Sequence, residues 1–285
     1  MGLIDFILNF TGLLLWLSWR SSRFDPLVRT SAASLAGTLR PAEKRRLKGW
    51  PSLVGLAGLL FVRAFLYWQI GAPAMWNPKL HLYFVVIAFR CDDFTSALVF
   101  SGVSFLRVFA VFYFWLMALC FVDRGFSETD PVQRLFRLHL GRPARWPWYV
   151  QMTLIPLVVM LIWAGLHPLL VRIGVVTPVS SPGYVFEQGL LVSLGLFFSL
   201  KYLFPVFLFL HFLNSYVYFG NNPMWEFVSH TARSLLAPLR RLPLQVGRLD
   251  LAPLVGIVLL LVLLEILPRV ALFYLHRHNQ SWWPQ

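Results

Sequence analysis

The sequence predicts an all-α, polytopic membrane protein with about six transmembrane helices, and three observations lead to this fold class. First, 58% of the 285 residues are hydrophobic and only 13% are charged, which leaves too little polar surface to cover a soluble globule of this size. Second, apolar runs long enough to cross a bilayer recur along the whole chain. Third, the basic residues are concentrated in the segments between those runs.

Taken in order, the predicted spans cover residues 3–19, 51–71, 98–122, 148–173, 187–219 and 251–275. We expect the fourth span to be broken by Pro156 and Pro168, because proline removes a helical hydrogen bond. Residues 79–90, in the loop after the second span, are strand-like in composition and too short to cross as a helix. For this segment a re-entrant position and a packed position both remain open.

The positive charges indicate the orientation of the chain. Of its 25 Lys and Arg residues, 17 fall in three linkers: eight in 20–48, five in 123–145 and four in 220–250. Basic residues on alternate loops follow the positive-inside pattern, so these linkers are predicted to be cytoplasmic and both termini to lie on the outer side. We expect the linkers to bind anionic lipid headgroups. Nucleic acid is not an expected partner, since no basic–aromatic platform is present.

The most informative linker is the third, together with the span that follows it. Asn222 is expected to cap a short helix and Pro223 to occupy its first position. Apolar residues recur every three to four positions in this helix, as in helices that lie at a membrane interface: Trp225, Val228, Ala232 and Leu235. A basic elbow with Pro238, Arg240 and Arg241 follows, and Gly247 leads to Asp250 and Pro253. Asp250 is expected to cap the last span and Pro253 to lie in its first turn.

The same plan occurs twice more in the chain. Asp25 and Pro26 open the first copy, with Arg45 and Arg46 as its elbow, and Asp130 and Pro131 open a more degenerate copy. The predicted organisation is therefore three two-helix hairpins with interfacial amphipathic linker helices. The predicted boundaries are 1–75 for the first hairpin, 76–97 for a loop, 98–175 for the second hairpin, 176–186 for a loop, 187–277 for the third hairpin and 278–285 for the tail.

The third copy resembles the signature of YggT-family integral membrane proteins over about residues 190–275. The matching residues are Asn222-Pro223, Pro238, Arg240-Arg241, Gly247 and Asp250 to Pro253. The first copy is similar at Asp25-Pro26 and Arg45-Arg46, and the middle copy at little beyond Asp130-Pro131. The resemblance implies a protein of the bacterial inner membrane. It implies no single chemistry, since such proteins are connected with cytochrome b complex maturation, cell division and osmotic stress.

Charges inside the spans are costly and often mark function. They are Arg63, Arg107, Lys201 and Glu265, with Asp5, Glu187 and Arg269 nearer the outer ends of the spans. Arg63 and Glu265 each follow an entry proline by twelve residues, about 18 Å along a helix, so we expect both in one ion-pair network inside the bundle. Glu265 and Arg269, four apart on one helix, form a competing local pair. A proton or ion relay, a structural pair and side chains that snorkel to the interface all remain open.

No catalytic, cofactor or metal site is predicted. The sequence has no GxSxG, no P-loop and no HExxH spacing, and the two histidines near spans, His167 and His211, are expected towards opposite faces. We therefore expect a non-enzymatic scaffold or assembly protein that binds another membrane protein or a second copy of itself. The alternative is a small ion or osmolyte channel lined by the intramembrane charges.

Overall fold

The computed structural model describes residues 2–23, 49–74, 77–83, 85–90, 93–123, 139–141, 146–176, 182–217, 222–241, 245–246, 249–266 and 268–270. Its helices are α1 (Gly2–Arg23), α2 (Trp50–Ala74), α3 (Phe94–Val122), α4 (Trp148–Arg172), α5 (Pro182–Tyr216), α6 (Pro223–Leu235) and α7 (Ala252–Leu261). Helix α7 continues as a π-helical turn, Val262–Ile266. Two short hairpins complete this part of the chain: β1 (Lys79–Leu82) with β2 (Val85–Ala88), and β3 (Gln245–Val246) with β4 (Leu249–Asp250).

Six helices in the described ranges are long and apolar enough to cross a membrane, so the predicted fold class is confirmed. Helix α3 begins at Phe94 and α5 at Pro182, each a few residues before the predicted start of its span. The first span, predicted over residues 3–19, is a helix of 22 residues that extends to Arg23. The strand-like segment 79–90 does contain two strands, which pair with each other.

The chain divides into two compact units. The first comprises Met1–Leu80 and Ile87–Phe109, and within it α1 packs along α2. The second comprises His81–Val86 and Ala110–Gln285, where α5 packs against α4, α6 and α7. The pairs α1–α2 and α5–α7 correspond to the predicted first and third hairpins. That the middle hairpin is a third, degenerate copy of the same two-helix repeat stays a prediction.

Prolines mark where the helices begin. Pro223 is the first residue of α6 and Pro253 the second of α7, positions at which the missing N–H costs nothing. The expected break of α4 at Pro156 and Pro168 is wrong, because the helix runs without interruption from Trp148 to Arg172. Packing by neighbouring helices compensates for prolines within transmembrane helices. Helix α4 ends at Arg172, and Gly174, two residues further on, has a φ of 74°, which suits the position just after a helix C-cap.

The linker helix α6 lies against its own spans. Its buried side includes Val228 and Ala232, two of the four predicted apolar positions. Ala232 joins Leu208 of α5 and Leu236 and Leu239, just after α6, in one buried cluster. Helix α7 comes close to this cluster at Gly256, where a Cβ atom would meet Leu236 Cδ2 at 2.8 Å. The amphipathic face therefore packs on protein. The corresponding predicted linker helices of the first and middle copies are 25–37 and 130–141. Apart from 139–141, they lie outside the described residues.

Candidate functional site

The first unit contains a buried polar cluster, which we call the Arg63 cluster: Asp5, Asn9, Arg63, Tyr67 and Ser104. Arg63 of α2 is 1% exposed. Its guanidinium donates to Asp5 Oδ1 at 2.7 Å and Asn9 Oδ1 at 2.8 Å on α1, and to Ser104 Oγ at 3.0 Å on α3. Asn9 also donates to Ser104 at 3.1 Å, and the Tyr67 hydroxyl donates to Asp5. One cation thus joins three helices.

Aromatic rings enclose the same guanidinium. Its Cζ lies 5.3 Å from the ring centre of Tyr67 and 5.4 Å from that of Phe100, distances at which cation–π attraction contributes. Within the described ranges Arg63 Nε is buried without a hydrogen-bond partner. Asp5, near the start of α1, remains 24% exposed. The buried charge is therefore neutralised by a carboxylate that keeps some contact with the surroundings.

The second unit contains a different charged group, the Lys201 cluster, made of Tyr83, Lys201, Glu265 and Arg269. Glu265, in the π-helical turn after α7, accepts hydrogen bonds from Lys201 of α5 and from Arg269. The Lys201 ammonium also lies 5.0 Å from the Tyr83 ring centre. The local Glu265–Arg269 ion pair that the sequence indicated is therefore present. Lys201 forms a second ion pair with the same carboxylate. π-helical turns within α-helices frequently occur at functional sites.

Tyr83 reaches this cluster from the tip of the β1–β2 hairpin. It has a φ of 59°, uncommon for a residue other than glycine. Its ring stacks on Phe198 at 5.0 Å between centres, and its hydroxyl donates to the Leu264 carbonyl at 3.2 Å. A Cβ atom on Gly195 would lie 3.0 Å from that of Tyr83, so the glycine permits the approach. Of the two positions left open for residues 79–90, these contacts favour a segment packed on protein.

The environment of the Tyr83 phenol has an electrostatic consequence. Burial raises the pKa of Tyr83 above its ordinary value, while the nearby Lys201 ammonium acts in the opposite direction. The hydroxyl therefore stays protonated at neutral pH and can donate its hydrogen bond to the helix carbonyl.

A third polar contact holds the linker helix. Asp123, which follows α3 and is 1% exposed, accepts from Thr231 Oγ1 at 2.7 Å and lies 3.2 Å from His230 Nδ1. An ionised carboxylate only accepts, so the contact is a hydrogen bond from the His230 tautomer that carries its hydrogen on Nδ1. Nearby, Asn214 of α5 donates to Ser229 at 3.2 Å. The helix is thus fastened by polar contacts as well as by its apolar cluster.

The predicted motif residues have mixed outcomes. Asn222 caps α6, with its side chain accepting from Met224 N at 3.1 Å, as expected. Pro238, Arg240 and Arg241 lie in a short 3-10 helix, Ala237–Arg241. The N-cap position of α7 is Leu251, which makes no side-chain cap bond, and not Asp250, which belongs to β4. A hydrogen bond from the Asp250 side chain to α7 stays a prediction. The remaining motif residues lie outside the described residues: Asp25, Pro26, Arg45, Arg46, Asp130, Pro131 and Gly247.

The predicted charge network is divided between the units. Arg63 and the exposed Arg107 belong to the first unit, and Lys201, Glu265 and Arg269 to the second. Arg63 and Glu265 each have partners of their own there. A network that joins these two residues stays a prediction.

Sequence reasoning missed Asp5 and Asn9 as partners of Arg63, and Asp123, His230 and Thr231 as a group. A signal for the last was present, since Asp123 ends a long apolar run and His230 and Thr231 adjoin on one helix. In the part of the chain that the structure describes, no group of three or more His, Cys, Asp or Glu side chains is placed to hold a metal ion.

Together, the six apolar helices and the docked amphipathic helix define a polytopic α-helical membrane protein with charges paired inside its spans. Comparison with protein families then identifies its C-terminal part: residues 193–271 match the CCB3/YggT family model. The chain therefore carries a YggT-family domain, which begins within α5 and includes α6 and α7. The resemblance seen in the third copy of the motif is confirmed over this stretch.

Comparisons with curated proteins and with solved structures found no significant match.

Proposed function

We propose that this YggT-family membrane protein is a non-enzymatic scaffold or assembly factor of the bacterial inner membrane, with both termini on the outer side. The observation that supports this proposal is the enclosure of Arg63, which is 1% exposed and bonded through both terminal nitrogens to side chains of two other helices. A cation that lines a conducting path needs contact with water. A cation that is enclosed by protein partners acts instead to fix the packing of helices.

The linker helix provides the surface on which such a scaffold would bind a partner. Its inner side is held by Asp123 and by the apolar cluster around Ala232, so its outer side is kept in a defined position. That outer side exposes Glu226 and Arg233, which are seven residues apart and so lie on one face of the helix. In our proposal this face, with the basic linkers, contacts anionic headgroups and either another membrane protein or a second copy of the chain, and does not contact nucleic acid.

Ion flux separates this proposal from the channel alternative. Full-length protein in liposomes is compared with the Arg63→Leu and Glu265→Leu variants, with empty liposomes as background and a pore-forming peptide as positive control. The scaffold proposal expects wild-type flux at background. Flux above background that disappears in either variant would instead support a channel lined by these charges.

Partner binding is tested with the outer face of α6. Arg233→Glu reverses an exposed charge there, and Arg172→Glu, at the exposed end of α4, is the matched control. Chains that co-purify in mild detergent are identified for each variant. We expect a specific co-purifying chain, or a second copy, to be lost with Arg233→Glu and retained with Arg172→Glu. Equal recovery with both variants would remove α6 as the binding surface.

A further inference from the structure

The Lys201 cluster has more positive than negative charge. Lys201 and Arg269 both donate to the same carboxylate, Glu265. One carboxylate balances one cation, so the three ionised groups carry a net charge of +1. A surplus cation within a span is costly unless an anion compensates it. This arrangement differs from the Arg63 cluster, where Arg63 and Asp5 balance each other.

The cluster can be reached from the surface of its unit. Arg269 is 75% exposed and Lys201 is 11% exposed. Tyr202, whose ring centre lies 5.1 Å from the Lys201 ammonium, is 60% exposed. A ligand that approaches along α5 and α7 therefore meets a guanidinium, an ammonium and a phenol at one place.

Apolar strips lead away from this place along both helices. On α5 the exposed residues after Tyr202 are Val206 and Phe209, which follow at helical spacing. On α7 and its π-helical turn, Val258 and Val262 are also exposed. They precede Glu265, so this second strip runs from the cluster towards the start of α7. Strips of this kind suit acyl chains, and the charged group at their end suits an anionic headgroup.

We propose that Lys201 and Arg269 form a binding site for the phosphate of an anionic phospholipid, with Glu265 as an internal competitor for the same two cations. The lipid phosphate accepts hydrogen bonds from the Lys201 ammonium and the Arg269 guanidinium, and its negative charge compensates the surplus. The acyl chains lie along the exposed strips of α5 and α7. This site is separate from the basic linkers and does not depend on the scaffold function.

The test measures lipid binding to the full-length protein in mild detergent by native mass spectrometry. Phosphatidylglycerol is compared with phosphatidylcholine of the same acyl chains. Wild-type protein is expected to prefer phosphatidylglycerol by at least about fivefold, the effect of roughly one basic side chain near a lipid surface. Equal binding of the two lipids would overturn the proposal.

Three variants locate the site. Arg269→Gln and Lys201→Gln should each reduce the preference about fivefold, whereas Glu265→Gln should increase phosphatidylglycerol binding, because the competitor is neutralised. Arg172→Gln, at the exposed end of α4, is the matched control and should behave as wild type. A preference that survives Arg269→Gln, or that fails to rise with Glu265→Gln, contradicts the assignment. Because Arg269 is largely exposed, its variant remains informative if Lys201→Gln fails to fold.

The source of the phosphate is tested by competition. Glycerol phosphate and inorganic phosphate are added at millimolar concentration to the lipid-bound protein. Retention of phosphatidylglycerol supports a lipid site, in which the acyl chains contribute. Displacement by either soluble anion would overturn the lipid assignment and indicate a site for a free phosphate.

Discussion

The Arg63 cluster predicts an asymmetry between its two charged members. Arg63→Leu removes three hydrogen bonds to Asp5, Asn9 and Ser104. Side-chain hydrogen bonds between transmembrane helices average about 0.6 kcal/mol each, so their loss costs roughly 2 kcal/mol. The carboxylate left behind is 24% exposed, and it therefore keeps part of its solvation.

Asp5→Asn leaves the opposite residue without its counter-charge. The guanidinium of Arg63 is 1% exposed, so it cannot turn to solvent. Removing one partner so that a buried charge is left uncompensated costs about 3–5 kcal/mol. We therefore expect Asp5→Asn, although isosteric, to destabilise the protein by at least about 1 kcal/mol more than Arg63→Leu. The double variant should resemble Arg63→Leu alone.

The assay is unfolding of the full-length protein by SDS in mixed micelles, followed by tryptophan fluorescence. Asp93→Asn, an exposed carboxylate just before α3, is the control and should change the unfolding free energy by less than about 0.5 kcal/mol. If Arg63→Leu lowers the unfolding free energy as much as Asp5→Asn or more, the difference in burial between Arg63 and Asp5 does not determine the cost of removing either partner. That result would refute the predicted asymmetry.

Three further predictions concern the second unit. Thr231→Val removes the hydroxyl that donates to Asp123 and should lower the free energy of unfolding by about 1–3 kcal/mol. This loss should appear as faster hydrogen exchange throughout α6, whereas the control Ser234→Ala, on the same helix, should leave exchange unchanged. Asn222→Ala should destabilise the first turn of α6 by about 1 kcal/mol, with exchange increased there and restored by Asn222→Asp. Gly195→Ala places a methyl group 3.0 Å from Tyr83 Cβ and should increase exchange in residues 77–90, whereas Gly165→Ala, which meets nothing within 4 Å, should not.

The spans and the starts of the helices could be predicted from sequence because their causes are local. Apolar length determines a span, and prolines such as Pro223 and Pro253 suit only the beginning of a helix. The prediction of breaks at Pro156 and Pro168 was wrong because it used the rule that proline interrupts a helix in a soluble protein. In a transmembrane helix, neighbouring helices can satisfy the backbone groups that proline leaves without a hydrogen bond. The start of α7 was predicted one residue too early: Asp250 belongs to a short strand pair, in register with Gln245, and Leu251 is the residue before the helix.

The polar clusters could not be predicted because their members are distant in sequence. Asp5 and Arg63 are separated by 58 residues, and Asp123 and Thr231 by 108. The intramembrane position of Arg63 indicated that it needs a partner, but the sequence did not show which of several polar residues pairs with it. The insertion of Tyr83 beside Lys201 depends on Gly195 and on a left-handed backbone at a hairpin tip, neither of which has a recognisable sequence pattern here.

Double substitution distinguishes separate clusters from the single network predicted from sequence. Arg63 is bonded within the first unit and Glu265 within the second, and the side chains described above as their partners do not overlap. Sites without shared partners have effects that add to within about 0.5 kcal/mol. The unfolding free energies of Arg63→Leu, Glu265→Gln and the double variant should therefore be additive in the SDS assay, whereas Lys201→Gln combined with Glu265→Gln should not be. Coupling between Arg63 and Glu265 of about 1 kcal/mol or more would mean that charges are balanced across the whole bundle, and the local account of pairing would be wrong.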